Sequence, residues 1–220
     1  MARIRIFAGH FGSGKTEMAL NYAFKLANES ERVCVVDMDI VNPFFCSRDV
    51  ASQLKGRGIR LISAHPHLAN AELTVIPPEV MVIFNDPSYE VVVDVGGDDI
   101  GATALGQFNR YFRQEPYDLY FVINQNRPLT STHEGVLQYI QSIERASRLK
   151  VTHLISNTNL AYETTADDIL RGDRFVAELA IALQIPHAYT MCRADLTVEV
   201  EGKVQAELFA MHPYMKTPWM

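Results

Sequence analysis

An α/β architecture, a mostly parallel β-sheet with helices on both faces, is predicted by three features of this 220-residue sequence. Short runs rich in Val and Ile alternate with segments whose apolar residues recur with a 3.6-residue period. Most of the short runs are apolar on both faces, as strands buried inside a parallel sheet are. No internal repeat or Ser/Gly-rich linker interrupts the alternation, so residues 1–220 read as one domain.

The first run, Ile4 to Ala8, leads into the glycine-rich segment GHFGSGKT. Met18, Ala19, Tyr22, Ala23 and Leu26 then form a stripe that lays a helix on the sheet. Further strands are expected at Val33 to Asp37, Arg60 to Ser63, Val91 to Asp94 and Leu119 to Asn124. Val136, Leu137, Ile140 and Ile143 make a second helical stripe, followed by a strand from Thr152 to Asn157. Thr164 and Thr165, with Asp168 three residues after Thr165, have the pattern of a helix N-cap. A helix is expected over Arg174 to Leu183 and a last strand over His187 to Met191. The C-terminal MHPYMKTPWM is broken by proline and reads as a packed or frayed tail.

Composition narrows the function classes. Apolar residues make up 48% and charged residues 21%, enough apolar surface for a sizeable core and too much for a disordered chain. The formal net charge is −6 and no basic block occurs, which argues against nucleic acid as a ligand. Cys34, Cys46 and Cys192 lie far apart with no CxxC spacing, as in a protein of the reducing cytoplasm rather than a disulfide scaffold. The opening apolar run reaches glycine within six residues, too short for a secretory signal or for a membrane span of about 20 residues. Membrane insertion is not expected.

The strongest chemical signal is GHFGSGKT itself. Gly9, Gly14, Lys15 and Thr16 satisfy GxxxxGK[ST] between a strand and a helix, the context in which that pattern binds phosphate. Its backbone N–H groups, drawn from Gly9, His10, Gly12, Ser13 and Gly14, can turn inward on phosphate oxygens, and the helix N-terminus adds positive potential. Lys15 is expected to reach the β- and γ-phosphates, and the Thr16 hydroxyl to ligate Mg²⁺. Two acidic strand ends follow, VCVVDMDIVNPFF with Asp37 and Asp39, and EVVVDVGGDDIG with Asp94 before Gly96 and Gly97. Strand ends are where ligands bind in open α/β sheets, and a carboxylate there can serve Mg²⁺.

With these three segments in this order, the chain resembles the SIMIBI class of P-loop NTPases, and within it the MinD/ParA and CobQ-like ATPases. The resemblance spans roughly Arg3 to Leu183 and implies a three-layer P-loop NTPase fold. It implies that Asp39 is the switch I aspartate that positions the attacking water, that Asp37 supports Mg²⁺, and that Asp94 is the Walker B carboxylate. Gly97 is implied as a backbone donor to the γ-phosphate. The family's signature lysine, which reaches across a nucleotide-sandwiched homodimer, is replaced here by His10, with Phe11 where the family has glycine. Imidazole is shorter and only partly charged near neutral pH, so the same fixed charge is not supplied.

Base recognition is expected at HLISNTNL, where the Asn157 amide offers a donor and an acceptor suited to adenine. That segment lacks the NKxD pattern of GTPases, which favours ATP. The resulting expectation is a Mg²⁺-dependent ATPase that cycles between ATP and ADP and acts on a protein partner. One alternative is a small-molecule transferase or ligase resembling dethiobiotin synthetase, with Arg127, Thr130, Ser131 and Thr132 as its acceptor pocket. Another is a module that holds nucleotide with little hydrolysis. His65 and His67 have HxH spacing but no further nearby ligand, and Cys46 reads as a buried thiol.

Overall fold

The computed structural model describes residues 1–39, 50–63, 78–97 and 99–215. Cys46, His65 and His67 lie outside the described residues. Eight described strands, β1 (Ile4–Ala8), β2 (Val33–Met38), β3 (Arg60–Ser63), β4 (Glu90–Val95), β5 (Tyr117–Ile123), β6 (His153–Ser156), β7 (His187–Arg193) and β8 (Glu207–Met211), form one sheet. Their order is β3-β2-β4-β1-β5-β6-β7-β8, and every neighbouring pair is parallel. The described helices are α1 (Lys15–Leu26), α2 (Ala51–Gly56), α3 (Val82–Asn85), α4 (Asp99–Gly106), α5 (Asn109–Phe112), α6 (His133–Ser147), α7 (Ala166–Leu183) and α8 (Thr197–Val200).

The two-residue period of the strands divides the core into two layers. Ile4, Ile6, Val36, Val91, Val93 and Phe121 pack on one face with Leu105 of α4, Val136, Ile140 and Ile143 of α6, and Val176 of α7. Phe7, Val35, Val92, Tyr120 and Val122 pack on the other face with Met18, Ala19, Tyr22 and Ala23 of α1 and Leu54 of α2. The architecture is therefore the three-layer α/β sandwich that the alternating pattern predicts.

The same period decides where the acidic strand ends point. Asp94 shares the face of Val92, and Asp37 shares that of Val35, so both lie under α1. The β2–β4 register pairs Asp37 directly with Asp94. Two carboxylates 57 positions apart in sequence are thus brought side by side at the C-terminal ends of adjacent strands.

Two elements differ from the sequence expectation. The helix expected from Arg174 starts at Ala166, because the Thr165 cap closes a capping box with Asp168 and begins one 18-residue helix. Thr165 N–H donates to Asp168 Oδ2 at 3.1 Å, and Asp168 N–H donates to Thr165 Oγ1 at 3.3 Å. The stretch before the C-terminal segment also supplies β8, an edge strand partly open to solvent. Its approach is held by the buried Asp173 of α7, which accepts from Gln205 N–H at 3.0 Å and from the Thr190 hydroxyl at 2.6 Å. Among the described residues, no helix is long and apolar enough to cross a membrane.

Candidate functional site

β1 is central, with β4 on one side and β5 on the other, so the loop after it opens at the point where the chain's connections diverge across the sheet. That loop carries GHFGSGKT. Ser13 N–H donates back to His10 O at 2.9 Å, closing a tight turn, and Gly14 stands as N-cap of α1 with φ of 87°. A side chain at position 14 would be strained by that φ, and its Cβ would lie 2.1 Å from Asn157 Nδ2. Lys15 and Thr16 begin α1, whose first turn, like that of any helix, directs N–H groups without intrahelical acceptors toward the loop mouth.

Under this helix start the acidic groups converge. Lys15 Nζ lies 3.7 Å from Asp39 Oδ2, and both side chains are nearly inaccessible to solvent. Asp39 N–H donates to Asp37 Oδ1 at 3.0 Å, which ties the end of β2 into a compact turn. Asp94 is fully buried, and its carboxyl is pushed up to about 7. Burial is the main cause; Asp37 and Asp39 add repulsion, while Lys15 and Thr16 pull the other way. The Thr16 hydroxyl is near Asp94 without reaching hydrogen-bond geometry, so neither Asp94 oxygen has a hydrogen-bond partner.

One ammonium among three carboxylates is an environment short of positive charge. The nearby donors, the Thr16 hydroxyl with Asp37 and Asp94, are all oxygens, the ligand type preferred by Mg²⁺. Among the described residues, no three or more His, Cys, Asp or Glu side chains are arranged to hold a metal ion unaided.

Gly97, expected as a phosphate donor, lies directly against the loop. A Cβ there would come within 2.9 Å of the Phe11 nitrogen and 3.3 Å of Gly9 O. The Tyr139 hydroxyl donates to Gly97 O at 2.7 Å, and the His10 ring meets the Tyr139 ring edge-on at 5.0 Å between centroids. His10 is therefore packed against α6, and its imidazole is held below the ordinary histidine value. Burial is the main cause and is opposed by a hydrogen bond with the Phe11 backbone, while the charges of Arg127 and Lys15 add smaller lowering contributions.

On the β5–β6 side, amides and an arginine brace the loop. Asn157 Nδ2 donates to Ser13 O at 2.7 Å. Asn124 Nδ2 and Arg127 Nε each donate to Gly12 O at 3.2 Å. Asn124 also donates to Asn159 O and accepts from Asn126 N–H, so one buried side chain joins three loops. Arg127 and Asn124 were not singled out as loop-bracing residues by sequence, since neither belongs to a motif. The acceptor-pocket hydroxyls expected beside Arg127 each make one local hydrogen bond. Thr130 donates to Asn124 O, Ser131 donates to Pro128 O, and Thr132 caps α6 by accepting from Gly135 N–H.

Asn124, Arg127 and Asn157 border a cavity of about 430 Å³, within the range of roughly 300–1,000 Å³ usual for small-molecule sites. Gly12, Gly14 and Glu17 form its loop end, and Asn157, Leu160 and Tyr162 line it beyond β6. Met211, Pro213 and Met215 line it from the C-terminal segment, which the sequence had marked only as a tail. The cavity adjoins the phosphate loop, as a space for the ribose and base of a nucleotide must.

No protein-family model matches the chain, and no curated protein matches it. Among solved structures it is similar to FtsY from Mycoplasma mycoides, with a TM-score of 0.56 at 18% identity over 84% of this chain. The match covers 59% of that FtsY, so the chain spans less than two thirds of its length. It is also similar to a nucleotide-binding protein from Archaeoglobus fulgidus in complex with ADP. That TM-score is 0.50 at 15% identity, covering 89% of this chain and 84% of that one. At these identities the likeness is one of fold, and the fold is an α/β, P-loop NTPase-like one.

Proposed function

We propose that this chain is a Mg²⁺-dependent ATPase of the MinD/ParA-like kind, a nucleotide-driven switch in the cytoplasm that acts on a protein partner. The observation that carries the reading is the convergence of Lys15 and Thr16 at a helix N-terminus with Asp37, Asp39 and the unsatisfied Asp94 at two strand ends. In this reading residues 1–220 work as one P-loop domain. The loop from Gly9 to Thr16 binds the phosphates through its N–H groups, and Lys15 leaves Asp39 to meet the phosphate charge. Freed of that ion pair, Asp39 orients the water that attacks in line. Thr16, Asp37 and Asp94 hold Mg²⁺, directly or through water. When bound, the ion neutralises charge on the phosphates and favours the ionised form of Asp94. Gly97 presents its N–H to the γ-phosphate.

In this reading the nucleotide is ATP rather than GTP, a choice supported by the acceptors of the cavity. Among its described lining residues the only carboxylate is Glu17, and that group already accepts two backbone N–H bonds. Guanine offers paired N–H donors that call for a carboxylate acceptor, whereas the amide of Asn157 suits adenine.

The test is titration of the purified protein with ATP and GTP in the presence of Mg²⁺, followed by phosphate release alone, with small metabolites, and with a macromolecular fraction. Tighter binding of ATP and stimulation by the macromolecular fraction are expected. A folded Lys15→Ala protein with unchanged ATP affinity would overturn the phosphate-loop assignment.

A further inference from the structure

Past β8 the chain turns back along α1 and is tied to it at two levels. Asn21 Nδ2 donates to His212 O at 2.9 Å, and His212 N–H donates to Asn21 Oδ1 at 2.8 Å, a reciprocal pair that fixes the exit from the strand. One helical turn closer to the phosphate loop, the Glu17 carboxylate accepts from the backbone N–H groups of both Tyr214 and Met215. The Met215 bond measures 3.1 Å to Oε2, and Tyr214 takes Oε1. The Tyr214 ring packs on Phe24 with centroids 4.4 Å apart.

These ties fix Met211, Pro213 and Met215 on the wall of the cavity beside the loop. Leu160 and Tyr162 line the same cavity from the β6–α7 connection and keep 46% and 65% of their surface exposed. The cavity thus has an end near the loop rich in amides with Arg127, and a mainly apolar end edged by Arg193, a division that fits a ribose followed by a flat aromatic base.

We propose that residues 211–215 form the base-side wall of the nucleotide site and that Glu17 is the positioning residue that holds this wall in place. The inference rests on the nucleotide-binding reading above and extends it to the part of the ligand that the phosphate loop does not touch. Glu17 directly follows Thr16, so the residue next to the proposed metal ligand sets the far end of the pocket through the segment after β8. Affinity for the base then passes through Glu17, whereas affinity for the phosphates does not.

Calorimetric titration with ATP and with inorganic tripolyphosphate, both with Mg²⁺, separates the two contributions. Glu17→Ala removes both acceptors, Glu17→Gln keeps one, and Met215→Ala trims the wall without touching α1. A loss of about tenfold in ATP affinity, equivalent to about 1.4 kcal/mol, is expected for Glu17→Ala. Glu17→Gln should fall between it and the wild type, and Met215→Ala should also weaken ATP. Tripolyphosphate affinity should stay within about twofold in all three, given that the loop is intact. Equal losses for ATP and tripolyphosphate would overturn the proposal by placing Glu17 in phosphate binding. Unchanged ATP affinity in a folded Glu17→Ala or Met215→Ala protein would overturn it too. If Glu17→Ala fails to melt cooperatively, the Met215→Ala comparison decides. Wild-type protein that binds tripolyphosphate as tightly as ATP would overturn the base wall while leaving the phosphate loop standing. Wild-type protein that binds neither would overturn both readings.

Discussion

Tyr139, in the second turn of α6, donates its hydroxyl hydrogen to the carbonyl of Gly97 at 2.7 Å. The same phenol ring meets His10 of the phosphate loop, so one side chain spans the two segments proposed to sense the γ-phosphate. Gly97 therefore lies close to the Phe11 backbone, and its carbonyl is held by Tyr139.

Tyr139→Phe keeps the ring and removes only the hydroxyl. Loss of one hydrogen bond should cost about 0.5–1.5 kcal/mol in stability. Turnover should fall several-fold with KM for ATP nearly constant, because Gly97 acts on the γ-phosphate and not on the nucleotide as a whole. Steady-state kinetics beside a thermal melt would check this, and an unchanged kcat would remove Gly97 orientation from the mechanism.

Asp39→Asn should retain ATP and lose hydrolysis by roughly 100-fold or more, the scale of positioned acid–base groups. The amide keeps contact with Lys15 but cannot orient water as a carboxylate does. Binding and single-turnover measurements on one preparation separate the effects. A turnover rate equal to wild type would assign the attacking water to another group.

Asn157→Ala deletes the hydrogen bond to Ser13 O and leaves that carbonyl in a buried setting, at a cost of about 1–3 kcal/mol. Since the Nδ2 hydrogen bond goes to the loop backbone, affinity for ATP and for tripolyphosphate should both decrease. A decrease confined to ATP would mean that the amide acts on the base alone.

His10 is held below the ordinary histidine value of about 6.5, so it is neutral at pH 8 and still mostly neutral at pH 6.5. If a nucleotide-sandwiched homodimer needs a charge in this position, ATP-dependent association should be weak throughout that range. It should strengthen only as pH falls through the lowered value, where the imidazolium forms. His10→Lys combined with Phe11→Gly supplies fixed charge and reach, and should strengthen association at both pH 6.5 and pH 8. Sedimentation of these variants in the Asp39→Asn background, with ATP and with ADP, reads the effect. Tight association at pH 8 that survives His10→Ala would show that the imidazole takes no part.

The features legible in sequence are the local ones. A run such as Ile4 to Ala8 makes a buried strand because its residues suit both sheet faces, and GHFGSGKT makes a loop and helix start because glycine permits the φ of 87° at Gly14. Thr165 and Asp168 announce the start of α7 within three residues, although the first half of that helix has too weak a stripe to be read without the cap. β8 carries no such signal. It is short, half-exposed and stabilised by pairing with β7, so its sequence alone does not distinguish it from a tail.

The sequence by itself determined the parallel α/β class, the phosphate-loop motif and the acidic residues at strand ends. Only the tertiary structure decided that Asp37 stands beside Asp94, that Asn124 and Arg127 brace Gly12, and that Glu17 holds the C-terminal segment against the cavity. The physical reason is range. Dihedral preference and burial period act over a few residues, whereas the Asn124 and Met215 bonds join groups 112 and 198 positions apart. Such bonds form only after the sheet register and helix packing have brought their partners together.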